Sequence, residues 1–486
     1  MLLKKILFSG LLCLFLGILM VGDTGCANII PPTGGPKDTL PPVLLAAAPR
    51  DSALQFTGKK ITLNFNEYVQ LENASENVIV SPLPTLNPSF DAKLRTITIT
   101  IKDTLQPNTT YSINFGKAIK DINEGNVYKE FTYVFSTGTY LDDRTLSGTV
   151  TIAETGKTDS TMIAMLYQDG DDSAVVKKRP RYITRLDNRG HFTFRNLPSG
   201  TFYLYALKDE SGTRRYTDPS QLFAFAGKPL TISANNEPVQ LYAYVEKAEE
   251  PKKRGSGPAP IATGSREKKA EDKRLRYQTN LENGQHDILD TLRIQFATPL
   301  KTFDSTKLVF TDEKFQQISN YALVPDSLNQ RFSLLYTWKL GTAYNLILGK
   351  ELAEDSAGRK LVKIDTIDFK TKKQEDYGEL RLRFPILDLS NHPVLQLIQS
   401  EKIVYTHVFT TKEFNVKIFR PGDYEIRILY DENGNGRWDA GEFFGKHKQP
   451  EKVLSIDKKF NVKANWGNDH TINLQPAENP PKAPVK

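Results

Sequence analysis

Residues 60–65, Lys-Ile-Thr-Leu-Asn-Phe, put an apolar side chain at every second place, and this period recurs through most of the chain. A helix repeats its faces every 3.6 residues and cannot bury such a pattern on one side. A pleated strand can, with one face in and one face out. Ile97, Ile99 and Ile101 alternate with Thr98, Thr100 and Lys102 in the same way, and Tyr111, Ile113, Phe115, Phe131, Tyr133 and Phe135 follow. Prolines and asparagines punctuate the gaps, as turns require. The expected fold is therefore all-β: short antiparallel strands packed as tandem β-sandwiches.

Spacing further predicts that the architecture is duplicated. Thr291-Leu292-Arg293-Ile294-Gln295-Phe296 echoes residues 60–65, and Tyr344 and Gly349 stand as Tyr111 and Gly116 do, with Gly358 and Gly125 each nine residues further on. Phe414 and Gly422 repeat the spacing of Phe192 and Gly200, and both runs lead into alternating strands that end at Asp431 and Asp209. The order read from this is A-B-A′-B′, with A over residues 43–138, B over 140–246, A′ over 275–371 and B′ over 376–475. A charged linker over residues 247–274 and a Pro- and Lys-rich tail over 476–486 have almost no large apolar residues, too few to bury a core.

The first 25 residues are set apart from this pattern. Lys4 and Lys5 precede an apolar run over residues 6–21, and Gly22-Asp23-Thr24-Gly25 leads into Cys26. That order is a secretory signal, and the run is at the short end for spanning a bilayer. An uncleaved membrane anchor or plain secretion with a free thiol are the other readings, and all three place the remainder outside the cytoplasm. Residues 26–42, rich in Pro with Gly34 and Gly35, form a tether that reaches up to roughly 50 Å at roughly 3 Å per residue. The only other cysteine is Cys13, inside the signal, so disulfides, a cysteine nucleophile and thiolate zinc sites are excluded from the mature chain.

The net charge of +7 does not mark a nucleic-acid binder. Nine basic and five acidic residues lie between Lys247 and Arg274, so one solvated linker supplies four of the seven. The rest carries no basic stripe to neutralise a run of phosphates.

Several stretches resemble known families. Cys26 after a small residue resembles the lipobox of bacterial lipoproteins, although Asp23 stands where that family usually has an apolar residue. The resemblance implies that Cys26 becomes the acylated first residue. The string from Ala27 to Pro42 resembles the start of Bacteroidota outer-membrane lipoproteins with Ig-like domains. Residues 43–138 resemble the bacterial Ig-like domain also found in S-layer proteins. The run Phe192, Phe194, Asn196-Leu197-Pro198, Gly200 resembles transthyretin-like, carboxypeptidase-regulatory sandwiches.

One motif carries chemistry. In Asp-Glu-Asn-Gly-Asn-Gly-Arg-Trp-Asp-Ala-Gly-Glu, residues 431–442, Asp431, Asn433, Asn435, Asp439 and Glu442 have calcium-loop spacing. Arg437 would offer its carbonyl, and Gly436 permits the sharp turn. The competing reading is a plain β-hairpin loop, in which Asn-Gly steps are common. In the first copy Asp209, Ser211 and Thr213 correspond, but Arg214 takes the glycine place and Thr217 the ninth, so no ion is expected there. No organic cofactor is expected. His191, His286, His392, His407, His447 and His470 show no metal-ligand spacing, and neither a nucleophile elbow nor a phosphate loop is present. Tyr203, Tyr205, Phe223 and Phe225 suit a sheet core better than a glycan platform.

The reading that results is a non-enzymatic, lipid-anchored protein of the outer membrane. It presents sandwich surfaces to an envelope protein partner, and the family resemblance implies an outer-membrane β-barrel complex as that partner. A glycan-binding or adhesive module is the first alternative. An enzyme with accessory Ig-like domains is the second, and it would need a cleft between A′ and B′.

Overall fold

The computed structural model describes residues 37–246 and 274–474. The signal segment, Cys26, most of the tether, the linker up to residue 273 and the tail lie outside the described residues. The chain divides into two compact units, Met1–Leu141 and Asp142–Lys486.

In the first unit Lys60–Phe65 pairs antiparallel with Thr96–Thr100, Ile61 opposite Ile99 and Leu63 opposite Ile97. Leu44–Ala48 and Ser89–Lys93 complete that sheet on either side. Thr110–Asn114, flanked by Ile79–Ser81 and Thr132–Ser136, forms a second sheet. The alternating residues of both sheets meet in one core: Ile61, Leu63, Ile97 and Ile99 are fully buried, with Ile113, Phe115 and Tyr133 opposite them. Truncating one such side chain to alanine costs about 2–5 kcal/mol, because the cavity it leaves closes only in part.

The second unit holds three such cores, drawn from residues 146–243, 275–369 and 380–474. The middle one repeats the first unit's topology. Leu292–Phe296 sits between Tyr277–Thr279 and Arg331–Leu335, and Ala343–Leu348 sits between Leu308–Asp312 and Asp365–Thr371. The likeness extends to single hydrogen bonds. Asp121 accepts from the N–H groups of Glu124, Gly125 and Asn126, and Asp355 from those of Ala357 and Arg359.

The other two cores share a topology of their own. In segment B, Arg144–Ile152 pairs antiparallel with His191–Leu197 and parallel with Val239–Ala243. In B′, Gly378–Arg383 pairs antiparallel with Glu413–Phe419 and parallel with Gly467–Thr471. The facing sheets correspond in order, except that Lys452–Val462 of B′ spans the places of two strands of B, Phe223–Phe225 and Leu230–Ile232. In B the order is Tyr182–Arg185, Ile163–Tyr167, Gly200–Leu207, Phe223–Phe225; in B′ it is Lys402–Val408, Pro393–Gln399, Gly422–Tyr430, Lys452–Val462. The fold is all-β, tandem sandwiches with each kind present twice.

Candidate functional site

The loop after Gly422–Tyr430 is built around Asp431, which is 1% exposed. Its Oδ1 accepts from Gly434 N at 2.8 Å and its Oδ2 from Gly436 N at 2.6 Å. Both glycines take positive φ, 74° and 76°, a region that strains a residue bearing a Cβ. Asn433 Oδ1 accepts from Asn435 N, Asn435 Oδ1 accepts from Arg437 N, and the amides of both asparagines donate to the Asp439 carboxylate. Asp431, Asn433, Asn435 and Asp439 are thus gathered in one hydrogen-bonded loop, and Arg437 is exposed beside them. Glu442 lies further along, with its carboxylate paired to Lys446 at 2.8 Å. Among the described residues no group of three or more His, Cys, Asp or Glu side chains is placed to hold a metal ion.

A further carboxylate, outside the motif, completes the loop. Glu451 is 2% exposed and accepts from Glu432 N at 3.0 Å and Asp439 N at 2.9 Å. Burial raises its carboxyl above the ordinary value, and the charges of Asp431 and Asp439 add to this against the two N–H donors. No motif template reaches as far as Glu451; the one sequence signal is a lone acid just before an alternating strand.

The chain beyond the loop forms a short arm that docks on segment B. Glu442 and Lys448 exchange backbone hydrogen bonds, which sets residues 443–447 at its tip. Phe443 packs against Tyr205, Phe223 and Phe225 with ring centroids 5.7, 5.2 and 5.1 Å away. Phe444 stacks on Tyr216, Phe443 N donates to Glu246 Oε1 at 2.7 Å, and His447 Nε2 lies 2.8 Å from Asp172. Below the arm, Val453 N donates to the Ala153 carbonyl and Lys452 lies over the Tyr242 ring. Tyr205, Phe223 and Phe225 are therefore buried packing residues, as the alternation suggested, and only Tyr203 of that group is half-buried.

The seam between A′ and B′ has a cavity of about 220 Å³ lined by His286, Asp287, Asp290, Lys372, Tyr377 and Arg420 among others. Its centre is Asp287, which accepts from Tyr377 Oη at 2.9 Å, from Leu289 N at 2.9 Å and from Arg420 Nε at 2.9 Å. Burial would raise this carboxyl, but the Leu289 N–H, the Tyr377 hydroxyl and the charges of Arg420 and Lys372 hold it below its ordinary value. His286 is buried against Trp338 and Phe369, and burial lowers its basicity. These groups tie one sandwich to the next. Of the other histidines, His191 pairs with Asp187 and His407 packs on Phe409 and Phe414.

No protein of curated function matches the chain. Among solved structures, the Bacillus anthracis TIE protein shares 12% identity over 90% of this chain and 76% of that one, with a TM-score of 0.16. The major pilin subunit of Bacillus cereus shares 11% over 68% and 98%, and a bacterial S-layer protein 13% over 88% and 54%, each again with a TM-score of 0.16. Scores this low say nothing about a shared arrangement or function. The family comparison is local and specific: residues 38–137 match the model of the bacterial Ig-like domain.

Proposed function

We propose that this chain is a non-enzymatic scaffold of the cell envelope, anchored in the outer membrane by acyl chains on Cys26 and presenting its sandwiches to a protein partner. The observation that carries this reading is the employment of the seams. The polar groups around the A′–B′ cavity bond to one another across it, and the aromatic residues of B are covered by the B′ arm. Groups so engaged hold domains in register. The bacterial Ig-like match over residues 38–137 supports the same reading. An outer-membrane β-barrel assembly is the partner class proposed.

The loop over residues 431–442 is proposed to take calcium, with Asp431, Asn433, Asn435, Asp439 and Glu442 as oxygen donors. Support comes from the gathering of Asp431, Asn433, Asn435 and Asp439 in one hydrogen-bonded loop beside the buried carboxylate of Glu451. A divalent cation there would offset the charges of these acids and stiffen the base of the arm.

The decisive experiment is gentle solubilisation of the outer membrane, capture of a tagged copy and identification of what accompanies it. A stoichiometric envelope protein is expected; recovery of the chain alone, with saturable binding to glycans, would favour adhesion instead. The N-terminal peptide of the membrane-bound protein should begin at Cys26 and carry the mass of acyl chains, and an unmodified Cys26 would contradict acylation.

A further inference from the structure

The first unit is not uniformly polar outside. Among its described residues nine large apolar side chains are exposed, and six of them belong to one end: Leu40, Val43, Leu45, Tyr68, Leu94 and Ile122, at 70, 53, 68, 49, 64 and 50% exposure. Hydrogen bonds place them together. Val43 and Asn66 bond to each other, Val69 N donates to the Leu94 carbonyl, and Ile122 N donates to the Tyr68 carbonyl. Leu44 lies opposite Phe65, which puts Leu45 beside the same strand end. Asn126 closes the set by donating to the Asp38 carbonyl. The chain leaves this sandwich at the other end, where Gln55 N donates to the Gly138 carbonyl and Phe56 N to that of Ser136.

Contiguous exposed apolar side chains on a soluble domain mark a surface with a partner. The partner's chemistry follows from the route of the chain. The described residues begin at Lys37, at this same end, and Cys26 lies only eleven residues earlier. Eleven residues span at most roughly 40 Å when fully extended. An acyl group on Cys26 would therefore keep this end, where the described chain begins, within roughly 40 Å of the bilayer. The rim suits a zwitterionic surface. Lys93 and Arg95 flank Leu94 in sequence, while Asp38, Asp121 and Glu124 lie near enough to Glu67 for their charges to bear on it. Of these acids Asp121 is 1% exposed and occupied by three backbone N–H groups. Tyr68, with the Arg95 guanidinium 5.4 Å from its ring centre, has the apolar body and polar tip of an interfacial anchor.

We propose that this end of the first sandwich is a bilayer-contact surface that lays its six apolar side chains among lipid headgroups, so that the domain lies against the membrane. The orientation rests on the lipid-anchor reading above. The contact itself does not, because it is made by side chains.

The test uses residues 27–486, which keep every described residue and carry no acyl chain. They are floated with vesicles of phosphatidylcholine and phosphatidylethanolamine. Partition into the vesicle fraction is expected, with at least a tenfold weaker association for the combined Leu40→Ser, Leu94→Ser, Ile122→Ser variant. Leu54→Ser with Leu86→Ser, exposed apolar positions outside the six, should change nothing. As a second readout the Leu94→Trp variant should show a blue-shifted emission on adding vesicles, relative to the unaltered chain. No flotation, flotation unaffected by the triple variant, or an added indole emission insensitive to lipid would each overturn the proposal. Loss of a co-purifying protein in the triple variant with vesicle association unchanged would assign the surface to a protein instead, and overturn it too. The mass of the N-terminal peptide of the full chain tests the anchor separately: an unmodified Cys26 with flotation intact removes the anchor and leaves this surface standing.

Discussion

The loops that follow Gly200–Leu207 in B and Gly422–Tyr430 in B′ begin alike and end differently. In both an aspartate organises the turn: Asp209 Oδ2 accepts from Arg214 N at 2.8 Å, and Asp431 Oδ2 from Gly436 N at 2.6 Å. Gly212 and Gly434 share positive φ, 69° and 74°, and Arg214 takes 57° where Gly436 takes 76°. The arginine thus enters the backbone region that glycine enters in the second copy. What separates the loops is the side chains. Ser211 and Thr213 bond to each other in B, whereas Asn433 and Asn435 converge on Asp439 in B′. The second loop then runs on into the arm that covers the first copy. Duplication retained the turn and changed what the turn carries: one copy became a receptor surface and the other its clasp.

The largest expected effect tests the clasp. Phe443 is 2% exposed and meets three rings of B, so Phe443→Ala should lower stability by about 3–5 kcal/mol. Denaturant unfolding of the full chain measures this, and limited proteolysis should show new cleavage within residues 431–451. A loss below about 1 kcal/mol with the arm still protected would mean that the two copies are held together by other contacts.

A pair of glycines sharpens the contrast further. Gly156 and Gly212 have nearly equal φ, 68° and 69°, so alanine strains both backbones alike. A Cβ at Gly156 would sit 2.5 Å from Ser455 N and 2.7 Å from the Val453 carbonyl, across the B–B′ seam, while at Gly212 nothing lies within 4 Å. Gly156→Ala should therefore cost about 3 kcal/mol and Gly212→Ala about 1 kcal/mol, from strain alone. Equal losses would place Ser455 further from B than described.

Much of this was legible beforehand because strand alternation is a local property. The buried faces at Ile61, Leu63 and Phe65, and at Leu292, Ile294 and Phe296, follow from period two alone. The repeated spacings predicted a repeated topology because turns and strands of equal length pair in equal register. The seams were not legible. Phe443, Phe444 and His447 lie in a Gly- and Lys-punctuated stretch with no period, and their partners are more than two hundred residues earlier in sequence. Glu451 escaped for a related reason: its burial is set by where the arm returns to the sheet. The apolar end of the first unit was invisible too, since Leu40, Tyr68, Leu94 and Ile122 meet only once the strands are paired.

Glu451 supplies a smaller, pH-dependent effect. Its folded-state value is raised above the unfolded one, so the folded state holds the proton more tightly. The associated stability is fully present below about pH 4.5 and is lost as the pH rises through the folded value. Glu451→Gln should flatten the stability profile across that window, read by thermal unfolding at a series of pH values. An unchanged slope would leave the carboxylate without the penalty inferred from its burial and from the charges of Asp431 and Asp439.

The smallest effect is also the one that most directly separates the copies. A ligand bound only by the folded state stabilises it by RT ln(1 + [L]/Kd), about 1.4 kcal/mol at tenfold excess over Kd. Calcium should therefore raise the unfolding midpoint by roughly 3 °C. Asp431→Ala should abolish the rise, since it removes the one carboxylate that both organises the turn and points into the loop. Asp209→Ala should leave it intact, because the first copy offers hydroxyls where the second offers amides and Asp439. Bound cation would also offset the charges of Asp431 and Asp439 at Glu451, so the pH window above should narrow in calcium, burial keeping the rest, and widen again on chelation. A rise of equal size in Asp431→Ala, or none in the unaltered chain, would assign the loop to the clasp alone: a turn whose acids serve only to hold Asn433, Asn435 and the base of the arm.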